Sequence, residues 1–265
     1  MPLLASSNVC SFAPGLVLLF VIMLLMPSQV HSRGDFELPV LPAPEAYGDV
    51  VLDRVSRSQK VAPVVFSHRV HRTFYTCRVC HGELEFAMST NESGIVCDWG
   101  KMQGKYCAVC HNGRTAFGPL GPEGENCGQC HNADEKPDLK KYWEQKRRLP
   151  SSTFGDGIDW SKALADGLIK PKKSLSRDAA PLVLERTLTL QAEMSGIPPA
   201  VFPHKIHTEW IDCSMCHPDI FNIKKKTTKH FSMARILNNE FCGVCHLRIA
   251  FPLNDCKRCH PAMRR

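Results

Sequence analysis

A loop-dominated pair of modules is predicted, with little regular secondary structure, short α-helices, and a short two-stranded β element in each module. Three observations predict it. A five-residue C-x-x-C-H motif occurs six times. A His-bearing block occurs twice, at the same distance from the next cysteine each time. Few residues are available per motif, too few for each to build a conventional core.

The motifs are Cys77-Arg-Val-Cys80-His81, Cys107-Ala-Val-Cys110-His111, Cys127-Gly-Gln-Cys130-His131, Cys213-Ser-Met-Cys216-His217, Cys242-Gly-Val-Cys245-His246 and Cys256-Lys-Arg-Cys259-His260. C-x-x-C-H is the attachment signature of c-type haem. The two thiols add across the two porphyrin vinyl groups, and the two-residue spacer lets both sulfurs reach one ring edge. The adjoining His then meets the iron from the proximal side. Zinc ribbons also use C-x-x-C pairs, but four ligands serve each metal and nothing fixes a His after every pair. With 12 His in 265 residues, six consecutive pairs would be followed by His by chance at roughly 10⁻⁸. The motifs consume twelve of the fourteen cysteines. Six covalently bound haem c groups are therefore expected.

The N-terminus agrees. Met1–Ser32 carries no Asp, Glu, Lys or Arg, and Leu16–Met26 is an apolar run followed by Pro27 and Val30-His31-Ser32. That reads as a signal peptide over 1–32, cleaved after Ser32. The run is short for a membrane span. The missing basic n-region keeps an uncleaved anchor as the second reading. Haem is attached to such motifs outside the cytoplasm, where thiols would otherwise oxidise. The expected location is the periplasm, with the cell exterior or a membrane-anchored form as alternatives. No other stretch is apolar enough to span a bilayer.

Removing 32 of 265 residues leaves 233, about 39 per haem, so porphyrin faces must serve as core. The formal charge is +7, all of it beyond Ser32. Each oxidised haem contributes about −1 through its propionates, so the basic residues act partly as counterions. Nucleic-acid binding is not needed to explain them.

In chain order, 33–46 is Pro-rich and extended, and 47–60 carries a short helix. Val64-Val-Phe66-Ser-His68-Arg-Val-His71 is then repeated as Ala200-Val-Phe202-Pro-His204-Lys-Ile-His207. The first His of each block lies nine residues before the next cysteine, the second six before. This internal duplication gives an N-terminal module (33–135), a connector (136–196) and a C-terminal module (197–265). Each module holds three motifs, with Ala116-Phe117 and Ala250-Phe251 after the second. The connector has no Cys or His. Residues 182–194 read as strand or amphipathic helix, and periodicity does not decide. A partly ordered connector is expected, with Tyr142 and Trp160 available to cover a porphyrin edge. A surface linker is the bland alternative.

Beyond the six proximal histidines, His68, His71, His204, His207 and His230 remain past the signal. All lie in the repeated block or between motifs, which points to distal ligation. Bis-histidine iron is coordinatively closed and suits electron transfer.

The F-x-H-x-x-H block, three C-x-x-C-H motifs and a ligand between the first two resemble the small tri-haem c-type cytochromes, the c-seven type of the cytochrome c-three superfamily (class III). Two such modules in tandem make the chain similar to a multihaem cytochrome c whose loops and short helices wrap around haems. The resemblance implies the pairs His68 with His81, His71 with His111, His204 with His217, His207 with His246 and His230 with His260. Met233 is the alternative at the last haem. The first module departs from the pattern, since its loop 82–106 has no His. The haem on His131 takes Met102 by first choice, Cys97 by second and Met88 by third, or keeps an open side.

The resemblance also implies respiratory electron transfer. Membrane quinol-linked cytochromes or outer-membrane cytochrome conduits are the expected partners. A reductase acting at the haem of His131 is the rival reading, a structural zinc protein the third. A place in a larger cytochrome array is a further alternative. None of the six motifs is the C-x-x-C-K variant of some multihaem nitrite reductases.

Overall fold

The computed structural model describes residues 37–95, 103–121, 124–133, 139–176, 183–224 and 228–264. The predicted signal peptide, Cys97 and Met102 lie outside these residues.

Regular structure is sparse. In the first half, strand β1 (Asp49–Leu52) is followed by helix α1 (Arg54–Gln59), strand β2 (Val64–Ser67) and the single-turn helix α2 (His68–His71). The first motif runs into a wide π-type turn at Val79–Glu83, and the second sits on a 3₁₀ turn at Tyr106–Val109. A two-residue ladder, β3 (Leu120–Gly121) with β4 (Gly124–Glu125), precedes helix α3 (Cys127–Cys130) on the third motif. Helices α4 (Leu139–Arg148) and α5 (Trp160–Ala165) follow. The second half has strands β5 (Thr187–Leu190) and β6 (Ala200–Pro203), then helix α6 (His204–Thr208) and a 3₁₀ turn at Cys213–Met215. It ends with α7 (Met233–Leu237), α8 (Gly243–His246) and α9 (Cys256–Cys259). No helix of the described residues is long and apolar enough to cross a membrane.

The β-branched and aromatic residues of Val64-Val-Phe66 and Ala200-Val-Phe202 suit a pleated strand. Each finds an antiparallel partner upstream, in the same register. Asp49 faces Ser67 and Leu52 faces Val64, while Thr187 faces Pro203 and Leu190 faces Ala200. The expected two-stranded element is thus present beside each His block. Thr187-Leu-Thr-Leu resolves the undecided stretch 182–194 as strand. Its threonines are exposed and its leucines half-buried, the alternation of a strand with one covered face. The segment 47–60 carries the expected short helix at Arg54–Gln59, preceded by the strand β1.

Residues 139–176 build a packed core of their own, unlike the surface linker of the bland alternative. Ile158, Trp160, Ala163 and Ile169 form a buried cluster, packed by Leu149, Leu164 and Trp210 of the second half. Tyr142 is 1% exposed and donates its hydroxyl to the Asp156 carbonyl (3.0 Å). Trp160 donates its indole N–H to the Asp156 carboxylate (2.8 Å), which also accepts the Ile158 N–H (3.2 Å). Both aromatic rings are spent on this core. Helix α5 starts where the Asp159 side chain accepts the Lys162 N–H (3.0 Å), a capping bond. Gly155 holds the turn open: its φ is +62°, and a Cβ there would lie 3.2 Å from the Tyr47 ring.

This core is tied to both halves. Lys172 accepts the Thr76 N–H (3.0 Å) and donates its own N–H to Phe74 (2.8 Å). Arg69 reaches Gln145 (2.6 Å), and Arg258 of α9 lies 3.6 Å from Asp159.

Candidate haem sites

The six histidines of the motifs and the four of the repeated blocks share one bond. The ring Nδ1 of each faces a backbone carbonyl: His68 to Gly48 (2.9 Å), His71 to Ser67 (2.8 Å), His81 to Phe86 (2.9 Å), His111 to Phe117 (3.0 Å) and His131 to Ala62 (2.6 Å). In the second half His204 faces Arg186 (3.0 Å), His207 Pro203 (2.8 Å), His217 Phe221 (2.6 Å), His246 Phe251 (2.9 Å) and His260 Pro198 (2.7 Å). A carbonyl only accepts, so Nδ1 carries the proton and donates it. Nε2 is left as a lone pair, the state that binds a metal. A bond of this kind fixes ring orientation and tautomer for ligation.

The carbonyls come from repeat-related places. Gly48 and Arg186 each precede the first strand of their half, and each accepts both the N–H and Nδ1–H of the block's first His. Ala62 and Pro198 stand two residues before β2 and β6 and hold the His of the third motif. Gly48 makes its turn at a φ of +89°, which glycine adopts freely. These backbone acceptors were not legible in the sequence, although the register of the two halves could have located them.

Three of the implied histidine pairs come together. Ring centroids of His68 and His81, of His71 and His111, and of His207 and His246 are each 6.2 Å apart. Imidazole nitrogen lies about 2 Å from a bound metal, so two rings clasping one metal have centres about 6 Å apart. The residues therefore fit a bis-histidine iron. The planes are parallel in the first pair (1°) and crossed in the others (53° and 65°). Phe66 stacks on His71 (4.3 Å) and meets His68 edge-on (4.9 Å). Phe202 does the same to His207 (4.2 Å) and His204 (4.9 Å).

Burial pushes His68 down to about 3 and His246 down to about 4, and lowers His71, His81 and His207. All five are thereby held neutral. Burial, with neighbouring thiols second, drives Cys80, Cys242 and Cys245 up to about 12. Among the described residues, none of the twelve motif cysteines is in a disulfide.

Among the described residues, no ring contact joins His204 to His217 or His230 to His260. His230 is exposed at a φ of +57° and lacks the Nδ1 bond seen at the others. Met233 opens α7 half-buried, its N–H donated to Glu193 (3.2 Å). Met88 is half-buried in the loop after the first motif and has no described contact with His131.

The model of the family described as cytochrome c7 and related cytochrome c matches residues 64–137 and 200–261, one stretch in each half. The chain belongs to this family. Its sparse helices, long loops and small two-stranded sheets are those of a multihaem c7-type cytochrome. Among solved structures, it is similar to the C-terminal hexaheme fragment of GSU1996, at 24% identity over 83% of this chain and 99% of that one, with a TM-score of 0.25. A c7-type three-heme cytochrome domain is 32% identical over 31% of this chain and 100% of its own, with a TM-score of 0.27. The N-terminal hexaheme fragment of GSU1996 is 23% identical over 82% and 99%, with a TM-score of 0.24. No curated protein matches the chain. As a c7-family cytochrome it binds haem through its Cys pairs and transfers electrons to redox partners.

Proposed function

We propose that the chain is an exported electron carrier with six covalently attached haems, three in module 33–135 and three in module 197–265. The observation that carries this reading is the trio of histidine pairs at 6.2 Å, each with both Nδ1 atoms tied back to the chain. Such an arrangement gives closed iron and no place for a substrate, so the haem supplies one-electron chemistry while the protein supplies burial, ligands and position.

His68, His71, His204, His207 and His230 serve as the distal ligands, with Met233 as the alternative to His230. The haem of His131 takes Met102, or Cys97 or Met88. The partners are other redox proteins in the periplasm or at the cell surface, namely membrane quinol-linked cytochromes or outer-membrane conduits. Docking to them is weak and fast.

The test is the intact mass and paramagnetic resonance spectrum of the matured, oxidised protein. Six added haems, a chain starting at Arg33 and low-spin signals are expected. A colourless product or fewer haems ends the six-haem reading. A high-spin signal with binding of carbon monoxide would move the assignment toward reductase chemistry at His131.

A further inference from the structure

The two halves meet around the first motif. Arg72 follows the distal His71, and its guanidinium donates to the Ile249 carbonyl, 2.6 Å away, just beyond His246. The same group lies 5.0 Å over the Trp160 ring and faces the buried Asp156 carboxylate. It is also a positive neighbour of Cys77 and His68. Arg78, inside the first motif, donates its backbone N–H to Trp210 (3.0 Å) and its Nε–H to Asp212 (2.5 Å), beside Cys213. Tyr47 donates its hydroxyl to the Ala250 carbonyl (2.6 Å). Cys77, like Cys216 of the second half, lies close enough to Cys245 to push its thiol up, after the larger effect of burial.

We infer that the attachment site Cys77–His81 is the junction between the halves, touching the approach to Cys213 through Arg78 and apposed to the site Cys242–His246 through Arg72, the positioning residue that holds and charges it. The third site of the first half and the first of the second, adjacent in sequence order, are then not the link. This rests on the six-haem carrier reading. A fixed cation favours the reduced state of a nearby redox centre, because reduction adds negative charge. Asp156, facing the same guanidinium, works in the opposite sense. The two sites at the junction should therefore respond together to either charge.

The experiment uses the full-length, haem-loaded protein, with each midpoint potential followed by nuclear magnetic resonance of assigned haem methyls. R72Q is expected to lower the potentials at Cys77/Cys80 and Cys242/Cys245 while leaving the haem at Cys127/Cys130 in place, and R72K to restore them. D156N should raise the same two, and provides the test should R72Q fail to mature. A uniform shift across all haems, or one confined to a single half, overturns the junction. So does a crystal structure of the matured protein whose shortest inter-half haem separation involves another pair. A product without covalent haem instead overturns the carrier reading beneath it.

Discussion

Ten imidazoles hold a proton on Nδ1 by pointing it at a carbonyl, and five of them are pushed below the ordinary histidine value of 6.5 by burial. The sign of the resulting pH dependence follows. The unfolded chain takes up protons on these rings below about pH 6.5, and the folded chain does so only near 4 for His246 and 3 for His68. Stability is complete above 6.5 and falls as pH drops through that interval. Asp49 and Asp156 oppose this, since burial raises their carboxyls. Iron ligation adds to the contribution of the rings, because a ligand must be deprotonated. Denaturant midpoints of the matured protein should be flat from pH 8 to 6.5 and then decline steadily toward 4. A midpoint that rises on acidification through this range would contradict the account of the rings.

Elements matter here chiefly as carriers of motifs. Helix α8 bears Cys245 and His246 and starts at Gly243 against the end of α7. A Cβ on Gly243 would lie 2.0 Å from the Ile236 carbonyl oxygen, a backbone atom that cannot swing aside. Gly82, after the first motif, would meet only the Arg78 side chain at 3.6 Å and the Asp212 carboxylate at 3.9 Å. Gly243→Ala should therefore cost about 1–3 kcal/mol through overpacking, while Gly82→Ala stays within about 0.5 kcal/mol, both read by denaturant titration of the haem-loaded protein. Equal midpoints for the two variants would show that α7 and α8 are not packed as described. The six motifs and the duplicated block were legible in the sequence because attachment chemistry and repeat spacing fix them, and the three histidine pairs that come together were implied only by the resemblance to tri-haem cytochromes. Strand β5 was half-legible: Thr187-Leu-Thr-Leu alternates, but over four residues, and its need for a partner appears only once β1 is seen beside β2. The core at 139–176 was hidden. Leu149, Ile158, Trp160, Ala163 and Ile169 follow no single period, and Trp210 comes from the far half.

On the scale of the molecule, burial is unevenly shared. Four of the eleven buried apolar residues among those described, Ile158, Trp160, Ala163 and Ile169, form the one clustered core, while others such as Val79, Ala108, Met215 and Leu253 are scattered along the motif-bearing halves. Each half is held instead by backbone bonds to histidines and by two-stranded ladders of four residues. A lone two-stranded ladder is marginal in water, and so few buried side chains cannot offset the entropy of ordering the loops between motifs. Haem must then supply both core and cross-link, so that binding free energy is folding free energy. The chain produced without haem attachment should show the circular dichroism of a largely unfolded polypeptide and no cooperative thermal transition. The matured protein should unfold cooperatively. The 139–176 core offers no refuge, since its Trp210 wall and its ties through Arg69, Arg72 and Thr76 belong to halves that haem organises. A cooperative transition in the haem-free chain would mean that the polypeptide carries its own core, and the role assigned to the histidine pairs would then be ligation alone.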